Sequence, residues 1–454
     1  MEAMDVSSST LFSRREFLGA TAAGVVGAAA AQRASAAEET RSQSGPNDRI
    51  HLGIIGCGGM GSSNLFACAQ HPDVVVTAAC DVWPDRRNAI VERFSESCKP
   101  YHDYRDLLAR DDVDAVIIST PPHWHALQAI HACEAGKDIY VQKPMTLYPA
   151  ETLALRNAVG KHGVISQVGT QVHASENYRR VVERVQAGNI GKVGIVRTYH
   201  VLNQMPDGLG HDPNPTPPEG MDWDLWCGPA PLIAYNSLLA ANAYNHSSWM
   251  DYTGGWTPGM APHIIDLPVW ALDLGFPTEI SCTGGRYFLR DDGDAYDNQD
   301  ILWRYPTTTM HWFTSMTNSY GFDFQGEPGP RRRLGIYFHG SEGTLYSDYG
   351  VHTVISERAD GSVADPPTPS IPPSPGHERE WLDCIKTREQ PSCSVFYHVR
   401  VDLPITLALV SYKLGHSIRF DPETERIVDD KEAARLAKPH YRDPWEFPEE
   451  YLDD

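Results

Sequence analysis

The chain has few of the features that mark specialised classes. Its nine cysteines, Cys57, Cys68, Cys80, Cys98, Cys133, Cys227, Cys282, Cys384 and Cys393, are scattered, and no CxxC pair occurs among them. A disulfide framework and a zinc site are therefore not expected, and no metal is assigned. Basic residues are short: 38 Lys and Arg stand against 59 Asp and Glu, a net charge of -21. Such a balance argues against a nucleic-acid partner or an anionic-membrane surface. No apolar run reaches the ~20 residues of a membrane span, and no internal repeat suggests a solenoid. What is present is ordinary for a globular protein, 41% hydrophobic and 21% charged over 454 residues, long enough for more than one core.

The first residues read differently from the rest. Ser13-Arg14-Arg15-Glu16-Phe17-Leu18 precedes a small-residue apolar run from Gly19 to Ala31 and then Ala34-Ser35-Ala36, the pattern of a twin-arginine export signal cleaved near Ala36 or Ala37. Residues 1–37 are thus assigned to a signal and 38–48 to a polar linker, with a periplasmic or otherwise exported destination expected.

From Arg49 the pattern turns regular. Short β-branched runs at Ile50–Ile55, Val74–Ala79, Ala115–Ser119 and Asp138–Val141 alternate with helix-like stretches, which predicts an α/β fold with a doubly wound parallel sheet. A further strand is expected at Val164–Val168. Ser175 then reads as the N-cap of a helix over Glu176–Ala187. Beyond Gly191, candidate strands follow one another at Val193–Tyr199, Glu279–Arg286, Ile301–Tyr305, Met310–Thr314, Leu334–Phe338 and Thr344–Ser347, without regular helices between. That succession predicts a largely antiparallel sheet. The expected domains are 49–170 and 171–454.

Gly56-Cys57-Gly58-Gly59-Met60-Gly61 follows the first strand and opens a helix, the context that a dinucleotide fingerprint requires. Glycines there permit a tight turn and let pyrophosphate rest on backbone amides at a helix N-terminus. Asp81 closes the second strand and can accept hydrogen bonds from both ribose hydroxyls. A carboxylate at that point repels a 2′-phosphate, so NAD is favoured over NADP; Arg86 nearby keeps the second option open. The strand ending near Ser119 empties into Thr120-Pro121-Pro122-His123-Trp124-His125, a loop expected to edge the cofactor through Thr120, Pro121 and His125. For His123 and His125, capping or loop bonding stands beside cofactor contact. In Gln142-Lys143-Pro144 the proline removes a ladder donor and ends the strand, leaving the Lys143 ammonium over the same crevice.

These motifs together resemble the Gfo/Idh/MocA family, the glucose-fructose oxidoreductase and inositol dehydrogenase group, from Ile50 to the C-terminus. The resemblance implies an N-terminal Rossmann domain and a C-terminal α/β domain with an open sheet that carries substrate contacts and subunit interfaces, hence a homo-oligomer. It also implies a catalytic lysine at Lys143 and a catalytic histidine at His263, in Gly254-Gly255-Trp256-Thr257-Pro258-Gly259-Met260-Ala261-Pro262-His263-Ile264-Ile265-Asp266. Asp266 reads as an orienting carboxylate. Two positions depart from the family pattern: Gly259 stands where many members carry aspartate, and Gln142 replaces the glutamate of Glu-Lys-Pro. Without those carboxylates, the Lys143 pKa is expected to be low. Gln171, His173, Arg197, Tyr252 and Asp266 are the substrate-facing candidates, for a carbohydrate or polyol. The implied reaction is oxidation of a sugar hydroxyl by a tightly held nicotinamide cofactor, with redox-neutral glycoside cleavage or epimerisation, and a non-catalytic carbohydrate-binding relative, as alternatives.

Overall fold

The computed structural model of the chain describes residues 49–319 and 333–452. The twin-arginine segment and the linker at 38–48 lie outside the described residues. The strand and helix elements below belong to one compact unit, residues 49–368 and 374–454.

The first half alternates β1 (Ile50–Ile55), α1 (Gly59–Ala69), β2 (Val74–Cys80), α2 (Pro84–Arg93), β3 (Lys99–Tyr101), α3 (Tyr104–Leu108), β4 (Ala115–Ile118), α4 (His125–Glu134), β5 (Asp138–Val141), α5 (Pro149–His162) and β6 (Ser166–Val168). All six strands pair in parallel in the order β3-β2-β1-β4-β5-β6. β4 and β5 are buried at every position, as expected of parallel strands covered by helices on both faces. The order reverses between β1 and β4. A crevice opens there, beyond the carboxyl ends of the strands.

α6 (Glu176–Gln186) leads into the second sheet, its N-cap Ser175 accepting from the Tyr178 amide at the expected position. β7 (Val193–Val201) is followed by a long excursion with four short helices, α7 (Trp223–Cys227), α8 (Ser237–Ala241), α9 (Ala243–His246) and α10 (Met250–Thr253), and then by α11 (Trp256–Ala271). β8 (Glu279–Gly285), β9 (Asn298–Arg304), β10 (Thr309–Ser315), β11 (Leu334–Gly340), β12 (Gly343–Ser347) and β13 (His352–Ser356) come next. After α12 (His377–Thr387) and α13 (Val395–Leu414), β14 (Ile418–Asp421) and β15 (Arg426–Val428) complete a nine-stranded sheet, ordered β13-β12-β11-β7-β10-β9-β8-β14-β15. Only the β7–β10 pair is parallel, so the sheet is mixed and largely antiparallel.

α13 had no sequence expectation because it carries no polar stripe: it is buried around nearly its whole circumference, and periodicity marks only helices with one wet face. The change of sheet falls near residue 170. The chain nevertheless returns to the first sheet, where Trp381, Leu382, Cys384 and Ile385 of α12 pack with Leu52, Ile54 and Tyr140. All nine cysteines are buried, and none forms a disulfide. No helix among the described residues is long and apolar enough to cross a membrane, and no group of three or more metal-ligating side chains occurs among them.

Candidate functional site

The glycine loop is built by exclusion of side chains. Gly56 has φ +91°, and a Cβ there would lie 2.6 Å from the backbone of Ser119 and Thr120, while a Cβ on Gly61 would lie 2.1 Å from the Gly56 carbonyl. Only glycine lets α1 start this close to β1 and β4. Gly59 is the opposite case, since a Cβ there meets nothing within 4 Å: it opens on the crevice. The helix has no side-chain cap at Gly58, which leaves first-turn amides available to an anion.

Asp81 is set by backbone bonds. Its carboxylate accepts from the Cys57 amide at 2.7 Å and the Trp83 amide at 2.8 Å. Burial pushes its pKa up against those two bonds. One carboxylate thereby joins the β1 and β2 exits and keeps lone pairs over the crevice. Arg86 lines the crevice while its Nη2 donates to the carbonyls of Ala240 and Ala241, both at 2.9 Å, and its guanidinium lies 4.1 Å over the Trp83 ring. The Asp81 carboxylate at the β2 exit would repel a 2′-phosphate, which favours NAD.

The loop after β4 is held from beneath. His125 sets one ring nitrogen 2.7 Å from the Thr120 carbonyl and the other 2.7 Å from the Pro144 carbonyl. It ties the β4 and β5 exits together, the loop-bonding role, while Thr120, Pro121 and His125 all line the crevice. His123 is bonded to the Trp226 carbonyl at 2.9 Å, and burial lowers its pKa to about 3. Gln142 donates to Asn64 Oδ1 at 2.7 Å and packs against Gly169, where a Cβ would lie 2.6 Å from its amide nitrogen.

Lys143 Nζ donates to the Gly259 carbonyl at 2.9 Å. Burial without a carboxylate partner lowers its pKa to about 8. His263 lies one turn further along α11, near enough for the Lys143 charge to depress its pKa, after the larger effect of burial. Its Nδ1 has no hydrogen-bond partner, and its ring meets Tyr349 edge-on with centroids 6.1 Å apart. At Gly259 a Cβ would lie 2.8 Å from Ser247 Oγ, so the space of the missing aspartate is taken by a serine from the excursion.

The substrate-facing candidates do not gather here. Asp266 is fully buried and accepts from Tyr397 at 2.6 Å, with His173 Nδ1 3.0 Å from its other oxygen. Burial opposes its ionisation, but His173 and Tyr397 hold its pKa low; it orients neighbours behind the crevice wall. Tyr252 is 1% exposed and donates to the Pro231 carbonyl at 2.7 Å. Gln171 is half-buried in the turn after β6 and does not line the crevice. Arg197 is exposed on β7, paired in register with His311 and Tyr337. For His173, Asp266 and Tyr252 the physical reason is the same: each polar atom found a partner inside the core.

The crevice of about 310 Å³ is instead completed by Trp226, Asn242, Tyr244, His246, Ser247 and Trp256. The aromatic richness around Trp226 and Tyr244 and the motif that holds Trp256 could be read in the sequence, whereas Asn242, His246 and Ser247 carry no signal, because their segment has neither periodicity nor motif. Ser119, whose buried Oγ lacks a partner, also lines it. The open glycine cradle, the two-amide Asp81 and this unpartnered hydroxyl fit a dinucleotide.

Comparison with known proteins agrees with that geometry. The model described as "Oxidoreductase family, NAD-binding Rossmann fold" matches residues 50–170, and "Oxidoreductase family, C-terminal alpha/beta domain" matches 325–447. An inositol 2-dehydrogenase of Salmonella typhimurium is 31% identical over 153 residues, 33% of this chain and 46% of that protein. A glycosyl hydrolase family 109 protein of Shewanella baltica is 36% identical over 155 residues, 30% of this chain and 34% of the relative. The chain thus spans about half or less of the length of the curated relatives it matches. Among solved structures, the WlbA dehydrogenase of Bordetella pertussis in complex with NADH and UDP-GlcNAcA superposes with TM-score 0.62 at 19% identity, over 82% of this chain and 98% of that one; at that identity it speaks for the fold. Two models of one family together cover more than half of the sequence, and the chain belongs to the Gfo/Idh/MocA oxidoreductase family, with an NAD-binding Rossmann domain over residues 50–170.

Proposed function

We propose that the protein oxidises a hydroxyl of a carbohydrate or polyol, with NAD held in the crevice and Lys143 as the group that takes the hydroxyl proton. The observation that carries this reading is the Lys143 amine with a pKa near 8, bonded to a backbone carbonyl and not to a carboxylate. An amine poised near neutrality can accept a proton at working pH. Bound nicotinamide supplies the hydride acceptor. Lys143 then orients the hydroxyl and receives its proton, while His263, one turn beyond Gly259 on α11, stands outside the crevice lining against Tyr349. Tyr244 and Trp256, whose rings meet edge-on at 4.7 Å, offer aromatic faces of the kind that pack on sugar C–H surfaces. The inositol 2-dehydrogenase relative supports a polyol substrate.

The glycosyl hydrolase family 109 relatives favour a second reading. In it a sugar hydroxyl is oxidised transiently, the ketone acidifies the neighbouring C–H, loss of that proton expels the aglycone, water adds across the resulting double bond, and return of the hydride to the ketone carbon leaves the cofactor as it began. Export through the twin-arginine route, read from Arg14 and Arg15, goes with this economy, since a folded protein can carry its cofactor out. Subunit pairing through the second sheet belongs to the same reading. The test is cofactor absorbance near the reduced-nicotinamide band on adding inositol, free sugars and aryl glycosides. Lasting reduction supports net oxidation, glycoside release with no lasting reduction supports the second reading, and no response to any of them refutes both.

A further inference from the structure

The excursion between β7 and α11 contributes an imidazole that no motif assigns. His246 lines the crevice, is 7% exposed, and has no hydrogen-bond partner on either ring nitrogen. Buried polar atoms are nearly always paired, and an imidazole with both nitrogens unpaired loses the hydrogen bonds that water would give it. The ring is well fixed: it packs edge-on against Trp226 with centroids 5.8 Å apart, and its own backbone carbonyl accepts from the Thr253 hydroxyl at 2.9 Å. It shares the crevice lining with Asp81 and Arg86 at the β2 exit and with His125 of the β4 loop. Gly56, Gly58 and Gly59 of the glycine loop line the same crevice, and the middle of a dinucleotide lies against such a loop. Burial keeps the ring neutral, with a pKa of about 3, so one nitrogen carries a proton to donate and the other can accept.

The segment that carries His246 is fastened at one point to the nucleotide half. Arg86 donates to two consecutive carbonyls, Ala240 and Ala241, at the end of α8, and Asn242 at once caps α9 by accepting from the Asn245 amide at 3.0 Å. The chain from the anchored carbonyls to the imidazole is therefore one short rigid turn.

We infer that His246 is a dinucleotide-binding residue, donating to a phosphate or ribose oxygen from the side opposite the glycine loop, and that Arg86 is the positioning residue that straps its segment over the bound cofactor. Together they make release of the cofactor slow. This rests on the dinucleotide reading of the crevice and extends it to retention.

The experiment loads the full-length protein with NADH, chases with excess NAD, and follows release by NADH fluorescence. His246→Leu and Arg86→Ala are each expected to release NADH at least about tenfold faster than the native protein, the scale of one hydrogen bond lost at a buried site. His246→Gln, which keeps a donor, is expected to stay within about threefold of native. If His246→Leu does not fold, His246→Phe, closer in shape to imidazole, carries the same comparison. Native-like release in both variants overturns the inference, and acceleration in Arg86→Ala alone overturns the role of His246. A native protein that binds no NADH refutes the dinucleotide reading itself.

Discussion

The two walls of the crevice are made in opposite ways. The nucleotide wall is backbone: consecutive residues at the ends of β1, β2, β4 and β5, with glycines admitted where a Cβ would collide, as at Gly56 and Gly61. The facing wall is side chain: Trp226, Tyr244, His246 and Ser247 from an excursion of short helices, with Trp256 from the start of α11. A backbone wall can be specified by a handful of adjacent residues. A side-chain wall depends on how distant segments pack, and can change its chemistry without disturbing the sheet. The Gly259–Ser247 contact is an instance, in which a Cβ at position 259 would lie 2.8 Å from the hydroxyl of a serine from the excursion.

The largest expected break of this contrast is chemical. Lys143→Met should lower turnover on the responsive substrate by about 10³-fold, the scale of a general acid–base group, while NADH still binds; loss of NADH binding instead would place Lys143 in the nucleotide wall alone. Next is Asp266→Ala, which strands His173 and Tyr397 inside the core. It should cost about 3–5 kcal/mol of stability, as loss of one partner of a buried pair does, read as a lowered Tm with little change in affinity for NADH per folded molecule. Asp81→Asn should weaken NADH binding by about ten- to a hundredfold and narrow the preference over NADPH, measured by fluorescence titration.

The smallest effect sharpens the assignment of the base. A lysine whose pKa lies near 8 in the folded protein is protonated below that pH and free above it. If Lys143 takes the proton, kcat/KM rises with pH through about 8. His263, already neutral well below pH 6.5, would give no limb in that range. Gln142→Glu should move the limb upward by about one unit or less, because a nearby carboxylate favours the ammonium. A limb that stays in place shows that residue 142 does not reach the Lys143 charge.

Legibility in the sequence followed the same division. The strands of the first sheet, the glycine loop, Asp81 and the Lys143 turn could be read because each is local: apolar runs of strand length, a turn that admits only glycine, a proline that stops a ladder. The helix bearing His263 was legible as an apolar run, but not the direction of its imidazole, which meets Tyr349. Asp266, His173 and Tyr252 are polar residues near a motif, and sequence alone does not distinguish one that faces ligand from one whose partner lies on another element. Tyr397 is 131 residues from Asp266.

By itself the sequence determined the alternation of buried strands and helices, the loop that receives a dinucleotide, and the lysine at its edge, since these depend on steric limits and burial acting within a few residues. Only the tertiary structure decided which side chains close the crevice, where Arg86 spends its hydrogen bonds, and that His246 is left with two unpaired nitrogens. Those outcomes turn on contacts between segments far apart in the chain, and hydrogen-bond pairing in a core is settled by packing.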